Sequence, residues 1–121
     1  MRTLRVALVQ LEAGADVDTN IAHAVVLARE AAVGSDLVIL PEYVQYRGTP
    51  DGWRRSARPV PGPTTDPFAD VAREHGCWIL AGTRAEASGD PLRPYNTAVV
   101  LDPTGRIAAR YRKVHLFDVA V

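Results

Sequence analysis

Tyr95-Asn96-Thr97-Ala98-Val99-Val100-Leu101-Asp102-Pro103-Thr104-Gly105-Arg106-Ile107-Ala108-Ala109-Arg110-Tyr111-Arg112 is the stretch that decides the fold class. Two strand-like runs, 95–101 and 106–112, flank four residues with proline second and glycine fourth, which suits a type I turn. So tight a connection makes an antiparallel pair, since parallel neighbours need a crossover of a dozen residues or more. Upstream the pattern alternates strand and helix. Residues 4–11 have apolar side chains in both parities, as expected of a central strand covered on both faces. Asp16 and Asp18 offer caps to a helix whose Ile21, Ala24, Val25, Ala28, Ala31 and Ala32 form one stripe, closed by Gly34. Residues 37–40, bounded by Asp36 and Pro41, read as a buried second strand, and residues 77–83 as a third. The sheet is therefore expected to be mixed, within a single α/β unit.

Between the second and third strands the chain changes character. Eight glycines and prolines between Arg47 and Pro67 predict a long irregular excursion, the kind of loop that lines a binding site. Asp66-Pro67 then reads as the cap and first position of a second helix, with Phe68, Val71, Ala72 and His75 on one face and Gly76 at its end.

Composition narrows the function classes. The 121 residues are 47% hydrophobic and 23% charged, enough for one domain that buries roughly two thirds of its unfolded surface. Fourteen basic residues balance fourteen acidic ones at a pI near 6.8, so no global field favours nucleic acid or an acidic membrane, and a small-molecule partner is expected. No targeting pattern and no apolar run of ~20 residues is present, which places the expected location in the cytoplasm. One cysteine, Cys77, and three scattered histidines, His23, His75 and His115, predict neither disulfide nor metal nor cofactor.

Two positions carry the chemistry. Glu42 follows a buried strand just past a proline, at the strand end where open α/β sheets collect ligands. Lys113 shares the parity of Ile107, Ala109 and Tyr111 on the last strand, opposite to Arg110 and Arg112, so it is expected on the apolar face. An ammonium there needs a partner, and Glu42 is available. Taken singly, each has a plainer reading: Glu42 as a loop carboxylate on a backbone N–H, and Lys113 as a snorkelling strand-end lysine. Cys77 is expected to be a buried, inert thiol, Arg54, Arg55 and Arg58 a solvated face, and His115 a structural hydrogen-bonding residue.

These residues converge on a family. Arg5-Val6-Ala7-Leu8-Val9-Gln10, Asp18, Asn20, Ser35-Asp36-Leu37-Val38-Ile39-Leu40-Pro41-Glu42, Gly82, Tyr95-Asn96-Thr97-Ala98, Pro103-Thr104-Gly105 and Tyr111-Arg112-Lys113-Val114-His115-Leu116-Phe117 together resemble the nitrilase superfamily of carbon-nitrogen hydrolases. The last stretch looks more like its amidase branch, which includes omega-amidase-like enzymes, than like true nitrilases. The resemblance implies the amino-terminal half of a four-layer α-β-β-α sandwich over residues 1–121, with the carboxy-terminal half absent. It implies a glutamate–lysine–cysteine mechanism on small amides, less so nitriles, with Glu42 as general base and Lys113 as the lysine. It also implies homo-oligomers when full length. The family's cysteine and second glutamate lie on later segments, and Cys77 matches a structural strand instead. Tyr43 and Tyr46, with Trp53 nearby, are candidates for contact with substrate.

Two other readings stay beside this one. The chain could be a non-catalytic half, a truncated product or a partner that completes its fold by association, as its apolar tail Val119-Ala120-Val121 suggests. A nucleotide-binding module is disfavoured, because Gln10-Leu11-Glu12-Ala13-Gly14 lacks the repeated glycines that admit a phosphate.

Overall fold

In the computed structural model residues 1–116 are described, so Phe117 of the last motif and the tail Val119-Ala120-Val121 lie outside the described residues. Helix α1 (Val17–Ala32) starts where Asp16 accepts the Thr19 N–H at 2.8 Å and buries Ile21, Ala24, Val25, Ala28 and Ala32. Small alanines at those positions let the helix sit close on its neighbours. Helix α3 (Asp66–His75) has Pro67 in its first turn and ends at Gly76, whose φ of 60° is the left-handed cap that glycine adopts without steric cost.

Strands β1 (Val6–Leu8), β2 (Leu37–Ile39), β3 (Trp78–Glu86), β4 (Tyr95–Leu101) and β5 (Ile107–Arg112) form one five-stranded sheet in sequence order. The first three are parallel and the last two pairings antiparallel, so the mixed α/β sheet expected from the hairpin is observed. In its turn Gly105 N–H donates to the Asp102 carbonyl at 2.8 Å, with Gly105 at φ 80°. Helices α1 and α3 cover one face, where Val38, Ile79, Val99 and Leu101 meet Ala24, Ala28, Phe68 and Val71 in the core.

Four expectations need correction. β1 is not a central strand but the sheet's edge: its core-side residues Ala7 and Val9 pack inward, while Val6 and Leu8 face solvent. The excursion after Arg47 contains a helix, α2 (Pro50–Ser56), because Thr49 caps Gly52 N–H and Pro50 presets the first turn. His75 is exposed and does not share the buried face of Phe68, Val71 and Ala72. Ile107 does not share a face with Ala109 and Tyr111, since a register shift between Val100 and Leu101 turns Ile107 toward the helix-side core.

The second face of the sheet is apolar and has no cover among the described residues. Register sets Leu8, Ile39, Leu80, Val100 and Ala109 in one row across all five strands, with Val6, Leu37 and Trp78 in the next. Leu8 is 77% and Tyr111 61% exposed. One helix layer on one sheet is the arrangement expected of half a four-layer sandwich.

The buried face also holds a cation. Arg84 is fully buried, donates to the carbonyls of Thr64 and Ala81, and lies 5.6 Å over the Phe68 ring. Burial pulls its guanidinium down to about 9.

Gly82 joins β3 to the turn after β2. Its φ is 69°, and an added Cβ would stand 2.2 Å from the Pro41 carbonyl oxygen, a backbone atom that cannot swing away. Gly82→Ala is therefore expected to lower stability by about 2–4 kcal/mol, read as a lower denaturant midpoint. A midpoint equal to that of the parent chain would contradict the close approach.

Candidate active site

Glu42 owes its position to a tight turn. Leu40 N–H still pairs with the Leu80 carbonyl at 2.9 Å, but Pro41 has no N–H and the ladder stops. Tyr43 then takes φ 58°, a conformation rare outside glycine, and is held there by its N–H to Thr83 Oγ1 at 2.9 Å. Val44 N–H to the Thr83 carbonyl completes the seam against β3. The turn delivers the Glu42 carboxylate to the uncovered side of the sheet.

Lys113 arrives from the other end of the chain. Its N–H donates to the Asn96 carbonyl at 2.8 Å, extending the β4–β5 ladder by one residue. Strand alternation then separates Arg112 from Lys113. Arg112 falls on the helix side, where its Nε and Nη2 both reach Glu86 at 3.0 and 2.8 Å and its guanidinium stacks 4.2 Å over Tyr95. Lys113 falls on the open side, with its Nζ 3.5 Å from Glu42 Oε1. The structure therefore brings together two side chains 71 residues apart. Lys113 is moreover the single lysine in the sequence, beside thirteen arginines.

The pair is half exposed: its side chains are 49% and 37% exposed, for Glu42 and Lys113 respectively. At that exposure the pair contributes about 0–1 kcal/mol to stability, so the fold does not explain it. Asn96 Nδ2 also reaches Glu42 Oε1, at 3.4 Å.

Behind the pair lies a second acid that sequence reasoning missed. Glu86 is 3% exposed and accepts from Arg110, Arg112 and the Thr97 hydroxyl. Burial pushes its carboxyl up, but the Arg112 and Thr97 hydrogen bonds and the two positive charges outweigh that and hold it below the ordinary glutamate range. Arginines two apart on one strand face were the available signal, since they call for an acid on that face.

The remaining candidates sort by position. Tyr43 stacks edge-on against Trp53, centroids 5.1 Å apart, on the wall of a cleft of about 1030 Å³ that Glu42 and Asn96 also line. Tyr46 lines the same cleft but is buried, and its hydroxyl accepts the Thr49 N–H at 3.1 Å. Arg54 pairs with Asp51 at the surface. His115 is exposed and makes no side-chain hydrogen bond among the described residues, so the structural role expected of it is not seen. Cys77 is buried in the helix-side core, where burial pushes its thiol up, on the far side of the sheet from Glu42.

Comparison with known proteins places the chain in a family. A carbon-nitrogen hydrolase family model matches residues 5–121. The chain belongs to the carbon-nitrogen hydrolase family. Among curated relatives of this carbon-nitrogen hydrolase chain, omega-amidase NIT2 of Homo sapiens is 34% identical over all of it, which covers 44% of that protein. The NitFhit protein of C. elegans superposes with a TM-score of 0.83 at 26% identity, over 100% of this chain and 31% of its own. XC1258 of Xanthomonas campestris, a CN-hydrolase superfamily protein with an arsenic adduct in its active site, gives 0.82 at 29% identity, over 97% of this chain and 43% of its own. The carbon-nitrogen hydrolase chain thus spans less than half the length of the relatives it matches.

Proposed function

We propose that this chain supplies the base and the oxyanion partner of a thiol-dependent hydrolase acting on small, carboxylated amides. The observation that carries the reading is the Glu42–Lys113 contact at 3.5 Å on the open side of the sheet, an ion pair the fold does not need. The nucleophile comes from residues outside this sequence, because Cys77 is sealed in the opposite face. The isolated 121-residue chain is accordingly inactive.

In this mechanism Glu42 takes the thiol proton as sulfur bonds to the amide carbon. Lys113 meets the negative charge that develops on the carbonyl oxygen. Collapse breaks the carbon–nitrogen bond, Glu42 returns the proton to the departing nitrogen, and ammonia leaves a thioester. Water, deprotonated by Glu42, attacks that thioester and frees the acid and the thiol. Tyr43 and Trp53 give the substrate an apolar wall, and Arg47 and Arg93 on the cleft's lining suit a carboxylate at its far end. The name of the human omega-amidase relative agrees with such a substrate.

The test is ammonia release by a full-length protein containing this sequence, offered short amides with and without a terminal carboxylate. Release from the carboxylated set is expected. Equal rates on both sets overturn the substrate class, and no release from either overturns the activity.

A second reading is favoured by the uncovered apolar rows: the chain alone is a non-catalytic half that completes its fold by association. Sizing the purified chain is expected to show oligomers, and a clean monomer that releases ammonia would contradict it.

A further inference from the structure

We infer that Asn96 is the positioning residue for the Glu42–Lys113 pair and that it assigns different tasks to the two oxygens of the Glu42 carboxylate, an inference that rests on the mechanism proposed above. Asn96 sits on β4, 5% exposed, and touches both members of the pair. Its side-chain Nδ2 reaches Glu42 Oε1 at 3.4 Å, and its main-chain carbonyl accepts the Lys113 N–H at 2.8 Å. One residue therefore sets the headgroup of the acid and the backbone of the base's partner.

The donors converge on a single atom. Asn96 Nδ2 and Lys113 Nζ both approach Oε1, while Oε2 has no partner among the described residues. Two donors on one oxygen favour one orientation of the carboxylate, and its second oxygen keeps free lone pairs. Oε2 is thus the atom that receives the thiol proton and later the water proton, and Oε1 is the atom that is held. Both contacts are long, as hydrogen bonds in unliganded sites commonly are before substrate tightens them.

The amide group has no other reason to be there. Asn96 Oδ1 is buried and has no hydrogen-bond partner among the described residues. An apolar side chain would fill the position without leaving an acceptor unpaired, so packing does not ask for asparagine. The direction of the amide is fixed by Glu42 alone, because turning it over would set Oδ1 against the carboxylate. Oδ1 is closed to solvent and Nδ2 is turned to Glu42, so the amide acts through Glu42.

The single lysine makes the test direct. Treating the chain with a water-soluble carbodiimide joins a carboxylate to an amine only when the two are in contact, and Lys113 is the sole side-chain amine in the sequence. The Glu42–Lys113 peptide cross-link is quantified by mass spectrometry in the parent chain, in Asn96→Leu and in Asn96→Ala. Folding is checked by circular dichroism, and isotope-mixed samples sort out links between molecules. The parent chain is expected to give the link, and both variants to lose it several-fold with the secondary structure retained. If Asn96→Leu misfolds, Asn96→Ala decides. An undiminished yield in a folded variant overturns the inference.

The full-length protein gives a second readout. Asn96→Leu is expected to lower kcat about tenfold with KM unchanged, as for a base that is present but misaimed. The two claims fail differently. If Glu42→Gln leaves turnover intact, the mechanism falls and this inference with it; if Glu42→Gln abolishes turnover while Asn96→Leu changes neither kcat nor the cross-link, only the role of Asn96 falls.

Discussion

Glu42→Gln in the full-length protein is expected to lower kcat by about 10³-fold, the middle to upper range for loss of a general base that handles protons in both halves of a reaction. Glutamine keeps the shape and can still face Lys113 through its carbonyl, so KM and the melting temperature should change little. Lys113→Ala should cost about 10²–10³-fold, the usual loss when one donor to an oxyanion is removed. Lys113→Arg should restore little, because a planar fork cannot replace a point charge on a flexible stem. Steady-state ammonia release measures all three. Turnover within twofold of the parent in either Glu42→Gln or Lys113→Ala would remove that residue's role.

The second large effect concerns stability. Glu86 is buried with two arginines and the Thr97 hydroxyl on it, so Glu86→Ala leaves a cavity, two guanidinium groups without an anion and a hydroxyl without an acceptor. The arginines are partly exposed and can rehydrate, which keeps the cost near 3 kcal/mol, below that of stranding a fully buried charge. That corresponds to a melting temperature lower by roughly 10 °C or more for a domain of this size. The pH dependence has a definite sign. The carboxyl is held below its ordinary value in the folded chain, so its contribution is present above the unfolded value near pH 4 and is lost as pH falls through the folded one. Glu86→Gln should flatten that acid limb, and thermal melts between about pH 3 and 7 would show it. An acid limb as steep as the parent's would assign the transition to another group.

Much of this was readable in the residues. The four-residue turn at Asp102-Pro103-Thr104-Gly105 was enough to make the sheet mixed, and strand parity placed Lys113 opposite Arg110 and Arg112. Part of what escaped has one cause: periodicity reports which faces are apolar, not what lies over them. Residues 4–11 are apolar on both sides, yet β1 is an edge whose outer residues stand in solvent. The pair stays half in water for the same reason, since the apolar face it joins is the open one. Helix α2 was hidden by Pro50 and Gly52, which read as loop residues although Thr49-Pro50 also spells a cap and a first turn. The bulge that displaces Ile107 leaves no mark in the alternation. Asn96 was visible only within a motif, and its double contact needed coordinates.

The sheet face left bare among the described residues would give the proposed reaction a built-in delay. Headgroups half immersed in water attract each other weakly, and water would compete at once for any carbonyl oxygen offered to Lys113. Whatever comes to lie across Leu8, Leu80 and Tyr111 expels that water and deepens the local field around Glu42 in the same motion. Assembly and chemical competence would then be one event, and the uncovered chain would stay harmless to the amides around it.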